Sequence, residues 1–208
     1  MTGRMTSGVI TDTTPTEFFQ ESVENAMAHQ QVQTDDDTTH YLVSLLTHFI
    51  HAGNLYEETD EGLVLRPLAF LYADAVHSRN PAERQAALRR LGDIALFIAG
   101  FFADSLDRKA VDVDYYIAMG GGAYGHLAED LVGTLRGRAL TPVYRELATK
   151  FTPFVDVLGE VSESIQARDQ RTLLRLYELW LRTGSPRLAR RLRENGIEPA
   201  PGLNTRRH

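Results

Sequence analysis

The chain has 208 residues, of which 43% are hydrophobic and 24% are charged, and its net charge at pH 7 is −6. These proportions are close to the globular average, so they exclude a globally disordered chain and allow a substantial core. The absence of cysteine excludes disulfides, thiol catalysis and thiolate metal sites.

No targeting or membrane segment is recognisable in the sequence. The first 13 residues lack the apolar stretch of a secretory signal, and we expect them to be disordered. The longest apolar run, Ile94 to Ala103, has ten residues, whereas a membrane helix needs roughly 18. We therefore expect a cytoplasmic protein that does not enter a membrane.

Helix starts are marked by a capping residue directly before a proline. The cap oxygen accepts from free backbone N–H groups, and proline at the first helical position lacks a donor that would be unpaired anyway. The pattern occurs at Thr14-Pro15, Asn80-Pro81, Thr141-Pro142 and Ser185-Pro186. Together with the spacing of apolar residues, it predicts helices over 15–30, 36–52, 67–78, 81–104, 114–133, 142–151, 153–167, 169–183 and 186–195.

These elements predict an all-α fold of one domain. We expect a helical bundle over residues 14–168, a basic helical hairpin over 169–198 that packs on the bundle, and a disordered tail over 199–208. The segment 54–66 predicts a loop with a short extended piece at residues 63–65.

The stretch Gly120-Gly121-Gly122-Ala123-Tyr124-Gly125 fits the dinucleotide-binding spacing G-x-G-x-x-G. Alternating apolar residues from Val111 to Met119 could form the preceding strand. A dinucleotide fold also needs further strands and an acidic residue about 20 positions later, and the sequence provides neither. The pattern therefore favours a helix whose side chains are small on one face.

Small residues predict that this helix lies close to the preceding one. Ala95 and Ala99 belong to one stripe, and Ala118, Gly122 and Gly125 belong to the other. Stripes of small residues let two helix backbones approach closely. We predict a central antiparallel pair that touches near Ala99 and Gly122.

The same glycines could instead leave bare backbone for a ligand. Three consecutive glycines cost about 1 kcal/mol each in a helix relative to alanine, so tight packing or a ligand must offset that cost. The alternative function is thus a small-molecule-binding or catalytic helical protein. Its candidate ligand-binding residues are Tyr115, Gly121, Gly122, Gly125 and His126.

The glycine-rich helix resembles the distal helix of haem oxygenases, which are all-α proteins of similar length. The resemblance covers about ten residues and implies a flat ligand lying over the glycines. The family also has a proximal His followed four residues later by Glu. Gln33 follows His29 and Ser44 follows His40 at that spacing, so no functional residue is transferred.

Other polar groups give weaker signals of chemistry. His40, His48 and His51 fall within an arc of roughly 80° on one helix, opposite its leucines. We expect that face to meet solvent or a partner rather than a metal. Asp93 and Asp104 bracket the long apolar run, and they predict either a salt-bridged cap or a polar pocket mouth. We predict no metal site and no cofactor.

Charge is distributed unevenly along the chain. From Arg168 to the end there are ten arginines and four acidic residues, a balance of +6, which leaves −12 for the remainder. Such a basic end could bind an acidic protein surface or nucleic acid. The candidate partner-binding residues are Arg171, Arg175, Arg182, Arg187, Arg190 and Arg191.

The two basic helices resemble a DNA-binding helix-turn-helix in outline. That pattern has a small residue four positions before the turn glycine, but Trp180 occupies that position before Gly184. An ordinary helical hairpin is therefore favoured, and nucleic-acid binding stays an alternative. With no recognisable nucleophile and base, we expect a non-catalytic protein whose partner is another protein.

Overall fold

The structure is a computed structural model that describes residues 14–49, 54–59, 62–103, 112–135, 137–195 and 197. These residues form eight helices and one small hairpin, so the predicted all-α helical bundle is confirmed. By its internal contacts the chain divides into two compact units, one ending at Val161 and the other beginning at Ser162.

The elements follow one another along the chain in two halves. In the first half they are α1 (Pro15–Gln30), α2 (Asp36–Phe49), β1 (Glu57–Thr59), β2 (Gly62–Val64), α3 (Leu68–His77) and α4 (Pro81–Phe101). In the second half they are α5 (Val113–Leu131), α6 (Gly137–Thr149), α7 (Phe151–Thr183) and α8 (Pro186–Glu194). Helix α7 crosses the boundary between the units and contributes residues to both.

The predicted capping signals are confirmed at α1 and α4. Thr14 accepts from the backbone N–H of Glu17 at 3.2 Å, and the Glu17 carboxylate accepts from the backbone N–H of Thr14 at 2.8 Å. Asn80 accepts from the backbone N–H of Ala82 at 2.9 Å. These side chains satisfy donors that a helix start leaves unpaired, and they fix where both helices begin.

The predicted starts and breaks further along the chain are partly wrong. Pro142 lies inside α6, which begins at Gly137 because the Thr134 hydroxyl accepts from the backbone N–H of Gly137 at 2.9 Å. Helix α7 is continuous where two helices were predicted to meet near Arg168, a stretch that contains neither glycine nor proline. The second helix was predicted over 36–52; the structure describes α2 over Asp36–Phe49, and residues 50–53 lie outside the described residues.

The predicted loop between α2 and α3 contains a two-stranded antiparallel hairpin. Glu57 pairs with Val64, and Thr59 pairs with Gly62. The extended piece predicted at residues 63–65 corresponds to β2, whereas β1 was missed. Its sequence, Glu-Glu-Thr, begins with two residues that are poor strand formers.

Helices α4 and α5 approach closely, as their small residues predicted, but in a different register. A Cβ on Gly92 would lie 2.7 Å from Cδ1 of Tyr124, and one on Gly120 would lie 2.8 Å from Cβ of Ala95. The predicted contact at Gly122 is wrong, since a Cβ there would meet no atom within 4 Å. Buried rings occupy the space beside Gly92 and Gly120, and this sets which glycines face the neighbouring helix.

Candidate functional site

A buried carboxylate joins three helices in the first unit. Asp93 of α4 accepts hydrogen bonds at Oδ1 from the hydroxyl of Tyr41 on α2, at 2.5 Å, and from the hydroxyl of Tyr124 on α5, at 2.7 Å. Arg89, one turn earlier on α4, places Nε 3.5 Å from the second oxygen, Oδ2. The Asp93 side chain is only 18% exposed. The carboxylate is therefore held by two phenols and one guanidinium.

Aromatic rings surround this carboxylate. Tyr144 of α6 lies edge-on to Tyr41, with centroids 5.6 Å apart, and stacks on Tyr124 at 5.8 Å. The Arg89 guanidinium lies 5.6 Å from the Tyr41 ring centroid, within the range of a cation–π contact. We define Tyr41, Arg89, Asp93, Tyr124 and Tyr144 as the Asp93 cluster.

Burial dominates the acid–base properties of the Asp93 cluster. It raises the pKa of Asp93 above its usual range, while the hydrogen bonds from Tyr41 and Tyr124 and the charge of Arg89 oppose that shift. Burial also raises the pKa of Tyr41 and of Tyr124, and the neighbouring carboxylate raises both further. Both phenols therefore keep their protons at neutral pH and act as hydrogen-bond donors.

A cavity of about 650 Å³ opens beside the Asp93 cluster, between α2, α4, α5 and α6. This volume lies in the range of small-molecule sites. One face of α4 lines it with residues three or four positions apart, namely Ala82, Gln85, Ala86, Arg89, Arg90 and Asp93. Helix α2 adds Tyr41, Ser44, Leu45, His48 and Phe49, and the far wall consists of Leu127, Leu131, Leu140 and Tyr144.

The guanidinium groups in this cavity are loosely paired. Arg89 is 58% exposed, and its ion pair with Asp93 is longer than a strong hydrogen bond. Arg90 places Nε 3.8 Å from Glu57, and Arg66 approaches the same carboxylate at 3.9 Å. Arg66 pairs more closely with Asp74, at 2.6 Å, whereas the contact with Glu57 leaves Arg90 with N–H donors that can reach a ligand.

The predicted ligand-binding residues on α5 lie elsewhere. Gly121 lies against α6 and α7, where its Cβ would be 3.6 Å from the carbonyl oxygen of Ala148, and a Cβ on Gly125 would be 3.9 Å from Cβ of Ala148. Gly122 is exposed, and His126 lies 3.6 Å from Glu129. Tyr115 packs edge-on against the neighbouring Tyr116. None of these five residues lines the cavity, and their role in ligand binding stays a prediction.

The structure describes two of the three predicted histidines and one of the two predicted aspartates. His40 and His48 are exposed, in agreement with the predicted outward face, and His48 also lines the cavity. His51 and Asp104 lie outside the described residues. The sequence pattern predicts a polar role for Asp93 but does not indicate its tyrosine partners. Only the Arg89–Asp93 spacing of four residues gave a local signal, because the tyrosines come from distant helices.

The C-terminal unit exposes charged and apolar side chains on the same helix. All six predicted partner-binding arginines are exposed. In α7, Leu174 is 59% exposed and Leu181 is 50% exposed. In α8, Ala189 and Leu192 are buried while the neighbouring arginines are not. The unit therefore combines buried residues in α8 with exposed leucines in α7.

Comparison of the chain with known protein families, with curated proteins and with solved structures finds no match. In the described part of the chain, no three His, Asp or Glu side chains lie close enough together to hold a metal ion. No described helix combines the length and apolar character needed to cross a bilayer. The candidate sites are therefore defined by geometry alone: the cavity beside Asp93 and the exposed face of α7.

Proposed function

We propose that the protein binds another protein through the exposed face of α7. The observation that carries the proposal is the exposure of Leu174 and Leu181 among arginines. Fully burying one leucine stabilises a complex by roughly 1.5–3 kcal/mol. A helix that leaves two leucines largely uncovered thus has apolar surface available to a partner.

Helical spacing brings these residues together. At about 100° per residue, Arg171, Leu174, Arg175, Leu181 and Arg182 fall within an arc of about 120° on α7. We define these five residues as the basic–leucine face, and the exposed Glu178 lies within the same arc. Its composition suits a protein interface, where an apolar centre is bordered by charged groups and arginine is enriched.

The chemistry of the partner follows from this face. Three guanidinium groups against the single carboxylate of Glu178 leave this side of α7 with a net positive charge, which fits an acidic surface. The two leucines need an apolar contact within that surface. Nucleic acid would use the arginines but would leave Leu174 and Leu181 uncovered, since phosphate contacts come from basic and polar groups. The proposed partner is therefore a protein with an acidic, partly apolar binding site.

Site-specific crosslinking in living cells tests this proposal. A photo-crosslinking amino acid replaces Leu174, and the matched control replaces Phe70 of α3, which is also 59% exposed. We expect one protein to be captured from position 174 and not from position 70. Combining Arg171→Glu, Arg175→Glu and Arg182→Glu with the probe at position 174 should abolish that capture, because the substitutions reverse the charge of the face.

Three outcomes would contradict the proposal. The first is equal capture from both positions, which indicates non-specific contact. The second is capture of a second copy of this chain alone, with a dimer in sedimentation, which places the acidic site on the protein itself. The third is capture of nucleic acid with strongly salt-dependent binding.

A further inference from the structure

The cavity beside Asp93 lies in the first unit and takes no part in the proposed binding through α7. Its lining is divided between an apolar end and a polar end. Ala82 and Ala86 lie near the start of α4, while Arg90 and Asp93 lie further along the same face. From residue 82 to residue 93 the helix axis extends about 16 Å at 1.5 Å per residue.

The apolar end has a wall that does not depend on α4. Leu127 and Leu131 of α5 are buried, Leu140 of α6 is partly exposed, and all three line the cavity. Ala82 and Ala86 of α4 line the same cavity. Their small side chains leave room for a guest, so an alkyl or aromatic group fits here.

The polar end carries two guanidinium groups. Arg89 faces Asp93, the one acidic side chain among the described lining residues, and Arg90 lies 3.8 Å from Glu57, which is outside the lining. The Asp93 oxygens already accept from two phenols and face Arg89. The guanidinium donors are therefore the groups that retain capacity for a ligand, and they prefer a carboxylate or a phosphate.

We propose that this cavity binds a small amphipathic anion, with its carboxylate or phosphate at Arg89 and Arg90 and its apolar part against Leu127, Leu131 and Leu140. The Asp93 cluster orients the site, because Asp93 and the Tyr41 ring hold the Arg89 guanidinium at the cavity wall. Asp93 is in this sense a positioning residue, while the two arginines touch the ligand.

Four probes that share one alkyl chain separate the contributions of head group and chain. Isothermal titration calorimetry at fixed ionic strength measures the binding of octanoate, octyl phosphate, octylamine and octanol. A charge-assisted hydrogen bond corresponds to roughly 10- to 100-fold in affinity. We expect one or both anions to bind at least about 10-fold more tightly than octanol, and octylamine to bind no better than octanol. Comparing the two anions identifies the preferred head group.

Matched variants locate the binding. We expect Arg90→Gln to weaken anion binding by roughly 10-fold or more while leaving octanol binding unchanged. The double variant that combines Arg89→Gln with Arg90→Gln should do the same. The control is Arg145→Gln, an exposed arginine of α6 outside the cavity. Ala86→Trp should block all probes by filling the cavity, and Ala139→Trp, on an exposed position outside it, should block none.

The expected pattern is anion preference, loss with Arg90→Gln and exclusion by Ala86→Trp, with circular dichroism confirming that each variant is folded. Arg90→Gln keeps the test decisive if the double variant is unstable, because Asp93 pairs with Arg89 and Arg90 pairs with Glu57. The proposal is overturned if neither anion binds at millimolar concentration or if octylamine binds as tightly as the anions. It is also overturned if Arg145→Gln weakens anion binding as much as Arg90→Gln.

Discussion

The hydroxyl of Tyr124 donates a hydrogen bond of 2.7 Å to Oδ1 of Asp93, and the ring that carries it fills the space left by a glycine on the same helix as Asp93. A Cβ on Gly92 would lie 2.7 Å from Cδ1 of that ring. Gly92 and Asp93 are adjacent in sequence. Gly92 thus packs against the ring of Tyr124, and Asp93 accepts a hydrogen bond from its hydroxyl. This arrangement fixes the position of α5 on α4 by packing and by hydrogen bonding together.

Removing this hydroxyl tests how much the contact contributes. We expect Tyr124→Phe to lower the free energy of unfolding by about 1–3 kcal/mol, because a buried acceptor loses one of its donors while the ring remains in place. Chemical denaturation followed by circular dichroism measures the change. The control is Tyr116→Phe, on the same helix but outside the Asp93 cluster. Equal losses in the two variants would show that the hydrogen bond to Asp93 contributes nothing specific.

The pKa of Asp93 predicts a pH dependence of stability. Burial raises that pKa in the folded state, whereas an unfolded aspartate titrates near about 3.9. The folded state then holds the proton more tightly, so the stability linked to Asp93 is complete below the unfolded pKa and decreases as pH rises through the folded one. We expect the stability difference between wild type and Asp93→Asn to shrink as pH increases above about 4.

Denaturation at a series of pH values checks this slope. Ser44→Ala, a non-titrating substitution in the cavity lining, should retain the wild-type pH dependence. A stability difference that grows with pH would contradict the prediction. It would mean that Arg89 and the two phenols outweigh burial and lower the pKa of Asp93.

The C-terminal unit offers a contrast between a buried and an exposed leucine. Leu192 of α8 is fully buried, whereas Leu174 is exposed. We expect Leu192→Ala to lower the stability of this unit by about 2–5 kcal/mol through lost burial and a residual cavity. Leu174→Ala should change it by no more than about 0.5 kcal/mol.

The fluorescence of Trp180 reports unfolding of the C-terminal unit directly, since the chain has one tryptophan and it lies in that unit. Denaturant midpoints of the two variants are compared with the wild type. Similar shifts for Leu192→Ala and Leu174→Ala would mean that α8 has no buried anchor, and that the leucines of this unit are equally accessible.

Local features of the fold were predictable, and contacts between distant segments were not. The caps at Thr14 and Asn80 depend on residues within three positions, so the sequence signals were sufficient. In the Asp93 cluster, Asp93 is 52 residues from Tyr41 and 31 residues from Tyr124 along the chain. The spacing of residues along one helix does not predict contacts between such distant positions. The cavity therefore could not be predicted, although the sequence indicated a polar role for Asp93.

The glycine-rich helix shows the same limit in a single element. The pattern correctly predicted helix and close packing, but it could not tell which glycine faces a neighbour. Gly120 and Gly122 are two positions apart, which corresponds to about 200° around the helix. Only the structure shows that Gly120 faces Ala95 while Gly122 faces open space.

Alanine at these two glycines should therefore have opposite effects. Gly120→Ala places a methyl group 2.8 Å from Cβ of Ala95 and against the buried ring of Phe151, and such overpacking costs about 1–3 kcal/mol. Gly122→Ala meets no atom within 4 Å and should gain about 0.5–1 kcal/mol from higher helix propensity. For the same reason Gly122→Leu should fold.

Thermal and chemical denaturation of Gly120→Ala and Gly122→Ala measure the sign of each change. Two stabilised variants would show that α4 and α5 lie further apart than the distance at Ala95 indicates. A destabilised Gly122→Ala would point instead to a contact on the exposed side of α5, where the sequence offers bare backbone to a ligand. Opposite signs would establish that packing against α4 and α7 requires glycine at position 120, while position 122 tolerates a side chain.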